Sequence, residues 1–76
     1  MDVIKNVKEL EFAVFCIENV ASAIGVNPKC VYKILTEKSD ILYEYIIPEY
    51  ETLHTQSKEY IVNEIREVMR ERGVEI

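Results

Sequence analysis

Seven aliphatic positions, Val3, Val7, Leu10, Val14, Ile17, Ala21 and Ile24, recur at alternating steps of four and three. That spacing returns to one side of an α-helix on every turn and does not fit the two-residue period of a strand. It predicts a long helix that opens the chain. Ala13, Cys16, Val20 and Ala23 form a second stripe beside the first, so the expected buried arc is wider than a coiled-coil seam. Phe15 projects instead onto the polar side, with Glu11, Glu18 and Ser22. Gly25 follows as the left-handed residue expected just past a helix end.

The rest of the chain has few places to turn, because only two Gly and two Pro occur in 76 residues. Few turns favour a small number of helices over many short strands. Asn27-Pro28 reads as a helix start: Asn accepts from free amide groups, and Pro at the first helical position lacks an N–H that would go unpaired anyway. Val31, Ile34 and Leu35 then face inward, and Lys29, Lys33 and Thr36 outward. Ser39 or Asp40 is the expected cap of a third helix through Ile41, Leu42, Tyr45 and Ile46. Pro48 disfavours helical geometry at Ile47 and predicts a kink or a fresh start, with one or two further turns over 49–54.

A last helix is expected to start within 55–57, with Thr55 capping it, and to run to about Arg72, with Gly73 as its stop. Ile61, Ile65, Val68 and Met69 form its apolar face; Glu59, Asn63, Arg66, Glu67 and Arg70 form its wet one. The expected fold is all-α, a compact four- to five-helix bundle with short connections, in a single helical domain over 1–76.

A 49% hydrophobic content is too high for a disordered chain, and the net charge is −5. The charge is uneven. Residues 1–20 carry −2 and residues 39–76 carry −5, whereas 21–38 carry +2 from Lys29, Lys33 and Lys38 against Glu37. An acidic surface repels nucleic acid and anionic membranes, which leaves only that middle segment as a basic patch. Asp2, Lys5, Lys8 and Glu9 interrupt any apolar run at the start, and the apolar stretch through residues 13–17 is far too short for a bilayer. Cys16 and Cys30 form neither a CxxC motif nor a disulfide framework, and a reduced, cytoplasmic protein is expected.

Three constellations carry candidate functions. In VASAIGVNPKCVYKIL (20–35), Ala21, Gly25, Val31 and Ile34 sit at the spacing of a helix-turn-helix unit, which would place Lys29, Tyr32, Lys33 and Thr36 toward a major groove. Any two helices joined by a Gly-containing turn need the same residue types. Residues 1–65 also contain no arginine, the commonest base reader, so nucleic acid is disfavoured and this reading over 20–38 is the alternative.

Around the only histidine, Tyr50, His54, Thr55, Gln56 and Tyr60 cluster in sequence, and Tyr50 and His54 are four apart. His54 could serve as a general base, but a base needs a nucleophile, an orienter or a metal beside it, and neither cysteine is adjacent. These residues are read as a helix junction held by capping. One His and two separated Cys cannot close a zinc site, no Gly-rich phosphate loop occurs, and no cofactor or enzymatic activity is expected.

The third constellation is tyrosine-rich. Of five tyrosines, Tyr32, Tyr43, Tyr45 and Tyr50 lie close together. Tyrosine buries apolar area while keeping a polar handle, which suits both interfaces and bundle rims. Phe15, Tyr43, Ile47 and Tyr50 are the candidate partner-facing patch, for a protein partner or a homodimer.

The segments FAVFCIEN (12–19), YIIPEY (45–50) and LHTQSKEYI (53–61), with the spacing between them, resemble a family of small bacterial proteins marked by an LHTQ motif, domain-of-unknown-function family 3791. The resemblance spans roughly residues 8–73 and departs at Ser57, where the family pattern more often has Gly; Ser57 is read here as first-turn helix. It implies a helical protein with no established activity, often encoded beside ADP-ribosyltransferase-like proteins. The implied role is a protein-binding partner or antitoxin-like neutraliser of such an enzyme.

Overall fold

A computed structural model describes residues 7–74, so Val3, in the first stripe, lies outside the described residues. Four α-helices and one π-helical segment follow in order: α1 (Val7–Ile24), α2 (Pro28–Thr36), the π segment (Leu42–Ile46), α3 (Tyr50–Leu53) and α4 (Lys58–Glu71). No strand occurs among the described residues, and the fold is all-α. Helices α2 and α4 pack on α1, and the π segment packs on α2. One cluster of buried side chains joins them, with Cys16, Val20, Val31, Leu35, Ile41, Ile46 and Ile65 at zero exposure.

Local chemistry sets most of the helix ends. Asn27 caps α2 by accepting from the Lys29 amide at 2.8 Å, with Pro28 in the first turn. Gly25 (φ +86°) and Gly73 (φ +70°) both take the left-handed conformation that favours glycine. At each of these ends the following valine donates five residues back, Val26 to the Ala21 carbonyl and Val74 to the Met69 carbonyl, both at 3.0 Å. Both valines also pack against the core, so the turns seal the helix ends as well as stopping them.

Helix α1 buries a different side from the one its first stripe suggests. Phe12, Ala13, Cys16, Val20 and Ala21 face the core, whereas Val7, Leu10 and Val14 are 67%, 50% and 45% exposed. Ala23, from the second stripe, is exposed as well. The chain has more apolar surface on α1 than α2 and α4 cover, and the uncovered excess falls on its N-terminal half.

Pro48 acts differently from expectation too. Ile47 stays helical (φ −67°, ψ −48°), and the break follows at Glu49 (φ −92°, ψ 11°), before the single turn of α3. The adjustment lies upstream, where the Ile47 amide donates to the Leu42 carbonyl, five residues back, at 3.0 Å. Winding that closes bonds at five residues brings positions five apart to one side. That is what the doublets Ile41-Leu42 and Ile46-Ile47 require, and all four are buried. Ser39 bridges the approach, donating to the Ile34 carbonyl at 2.7 Å and accepting from the Ile41 amide at 3.3 Å.

Helix α4 buries Ile61, Val62, Ile65 and Met69, with Val68 half-buried. Its cap is Ser57, extended at φ −68°, ψ 159°, which accepts from the Tyr60 amide at 3.1 Å. Ser57 therefore stands outside the first turn. Glycine, the commoner residue in the resembled pattern, is also tolerated at a cap, so the departure at Ser57 needs no change of backbone.

Candidate functional site

Helix α1 presents two adjoining features at its outer side. The first is the bare aliphatic stripe of Val7, Leu10 and Val14. Steps of three and four place these side chains above one another. By the same helical geometry Glu11 and Glu18, both exposed, run along one edge of the stripe. Half-buried Ile17 continues it toward the core.

The second feature is a row of rings. Phe15, 37% exposed, lies 6.2 Å from Phe12 with the ring planes 16° apart. Phe12 is buried and meets Tyr50 edge to face, 5.3 Å between centroids. Tyr50 in turn stacks on His54 at 4.6 Å and 14°. Offset stacks and edge contacts at these separations are the preferred aromatic arrangements, each worth about 0.5–1.5 kcal/mol beyond burial. The row fixes α3 against α1, with Phe15 and His54 at its two ends.

Of the four candidate patch residues, Phe15 and Tyr50 are thus brought together, through Phe12. Tyr43 is exposed, but Ile47 is only 8% exposed and belongs to the core, so it cannot face a partner. The π winding turned it inward. Sequence reading missed Phe12 as the link and missed Val7, Leu10 and Val14 as exposed surface. The signal for the latter was present as two apolar stripes on one helix, more than two neighbours could cover.

At the LHTQ segment, Tyr50 and His54 share a face as their spacing requires. Thr55 donates to the Thr52 carbonyl at 3.1 Å, and the Gln56 amide donates to the Leu53 carbonyl at 2.9 Å. Both bonds close the end of α3. Thr55 therefore does not start α4; Ser57 does. His54 is exposed, and its ring contact is Tyr50. Tyr60 is exposed as well and stands near Tyr45, whose phenol is raised above its ordinary value by burial first, then by Glu64, Glu49 and Tyr60.

On α2, Lys29, Tyr32 and Lys33 are exposed, while Thr36 is half-buried and donates to the Tyr32 carbonyl at 2.7 Å. The two thiols differ sharply. Cys30 is exposed, whereas Cys16 is buried and its thiol is pushed up to about 12 by that burial. Among the described residues, no cluster of three His, Cys, Asp or Glu could hold a metal ion, and no helix is long and apolar enough to cross a membrane.

A family profile, described as protein of unknown function (DUF3791), matches residues 11–72. The chain belongs to this family. The matched span begins at Glu11 and takes in the aromatic row, the π segment and the LHTQ segment. Val7 and Leu10 lie just outside it. No curated protein and no solved structure matches the chain.

Proposed function

We propose that the protein is a non-enzymatic protein-binding module that docks a partner on the bare face of α1. The observation that carries this reading is the exposure of Val7, Leu10 and Val14 on one helix side, with Phe15 beside them. Scattered exposed aliphatics need no explanation, but a run of them stacked along one helix marks an interaction surface. Glu11 and Glu18 at the edge favour a partner helix that carries Lys or Arg alongside its apolar side. A second copy of the chain fits less well, because pairing the same stripe brings these carboxylates toward each other.

The partner implied by the family resemblance is an ADP-ribosyltransferase-like protein encoded alongside, which this chain would neutralise in the manner of a bacterial antitoxin. Two free cysteines agree with a reducing, cytoplasmic setting. Co-expression with the adjacent gene product tests the proposal. The expected result is a complex at micromolar concentration that Leu10→Asp with Val14→Asp disrupts. No complex, or one indifferent to that pair, sinks it; a light-scattering mass of two chains for the isolated protein would replace the partner with a second copy.

The alternative reading, a helix-turn-helix DNA binder over 20–38, is supported by the exposed Lys29, Tyr32 and Lys33 on α2. It requires duplex binding that weakens steeply with salt and disappears in Lys29→Glu with Lys33→Glu.

A further inference from the structure

Three arginines lie on or beside α4, and their partners differ in an unexpected way. Arg70 pairs with Glu67 at 2.7 Å and Arg72 with Glu44 at 3.1 Å, although both arginines are well exposed. Arg66 is the more buried of the three, yet among the described residues it has no ion pair and no hydrogen bond. A half-buried arginine covers apolar surface with its stem, and a guanidinium with no partner of its own keeps its whole donor fork available to a ligand.

Arg66 lines an open cavity of about 280 Å³ between α1 and α4, with Ala23 and Val62 as its apolar lining. Ser22 and Asn63 line it as well, and neither makes a side-chain hydrogen bond among the described residues. Asn19 gives its amide to the Phe15 carbonyl at 2.7 Å, which leaves its side-chain oxygen free. Lys58, also unpaired, adds a second cation, and Glu59 is the one opposing charge. On a chain of net charge −5, this cavity is locally positive. Five guanidinium donors in a fixed fork match the geometry of carboxylate and phosphate.

We propose that this cavity is a binding site for a small ligand bearing a carboxylate or phosphate group, anchored by Arg66 and assisted by Asn63 and Lys58. The volume lies just under the roughly 300 Å³ at which pockets for drug-sized ligands begin, which limits the occupant to a small anion. This site is separate from the α1 stripe and does not depend on the protein-binding reading.

The test is an amide-shift titration of the full chain with sodium phosphate and, separately, sodium succinate, with potassium chloride holding ionic strength constant. The expected result is saturable shifts at Asn19, Ser22, Asn63 and Arg66 with at least one of the two anions, and which anion saturates identifies the ligand as phosphorylated or carboxylic. Arg66→Gln should remove the response and Arg66→Lys should weaken it about tenfold, keeping the charge but losing the fork. Lys33→Gln, at a different cavity lined by Val26, Lys33 and Lys38, should change nothing. If Arg66→Gln perturbs the fold, Asn63→Asp places a carboxylate in the cavity and should abolish binding instead. Shifts no larger than those from chloride, shifts shared equally with Lys33 and Lys38, or binding that survives both Arg66→Gln and Asn63→Asp would overturn the proposal.

Discussion

Leu10 and Ala21 lie on the same side of α1, three turns apart, yet Ala21 is 1% exposed and Leu10 is half exposed. The C-terminal half of that side is sealed by the turn at Gly25 and by the bundle, whereas the N-terminal half projects past its neighbours. One stripe therefore serves two ends, cohesion in one half and availability in the other. The lesson is that apolar periodicity specifies which positions lie together, and only the reach of neighbouring elements decides which of them become core.

The largest effect that would break this contrast is a charge in the sealed half. Ala21→Asp buries an unpaired carboxylate, and a domain of this size has on the order of 5–10 kcal/mol of stability to lose. Loss of the cooperative thermal transition is expected; a folded Ala21→Asp protein would mean that the sealed half is not sealed.

Alkaline pH probes the core-facing side of the helix. Cys16 keeps its proton in the folded chain up to about 12, against 9.0 for an ordinary thiol. Its contribution is complete below about pH 9 and falls by about 1.4 kcal/mol per pH unit from there to about 12, because only the unfolded chain releases the proton in that window. Unfolding free energies from urea melts across about pH 9–11 should fall with this slope, and Cys16→Ala should lessen the fall. Tyr45 shifts in the same direction and adds to the decline.

Ser57→Ala is a reference lying in neither half. Loss of its bond to the Tyr60 amide should cost about 1 kcal/mol, and Ser57→Gly only a few tenths, read from thermal midpoints. The smallest effect belongs to the bare half. Val14→Asp should change stability by no more than about 0.5 kcal/mol. A loss similar to that of Ala21→Asp would show Val14 to be covered in the protein as it exists.

Those features of the fold that depend on neighbours in sequence were legible before the structure. Asn27 and Pro28 announced α2, Gly25 and Gly73 ended their helices, and Tyr50 met His54 across one turn, because each depends on groups within six residues. The phase of α1 was not legible. Its two stripes are both apolar, and nothing local tells Leu10 from Cys16. Ile47 was misplaced for a related reason, since the rule for residues before proline speaks to φ and ψ and not to a change of winding upstream. Phe12 stood in plain view in FAVFCIEN, but its link to Tyr50 spans 38 positions.

The wide turn over Leu42–Ile46 makes length, more than composition, the vulnerable property of that stretch. Residues 43–45 act as a spacer between two aliphatic doublets, and exchanging any of them for another helix former preserves the count. Adding one would leave the doublets six apart and rotate the second pair away from the first, whereas removing one would restore the four-residue step of an ordinary α-turn. Substitution scanning would rate exposed Tyr43 and Glu44 tolerant, and an insertion scan would find the same stretch among the least forgiving segments of the chain.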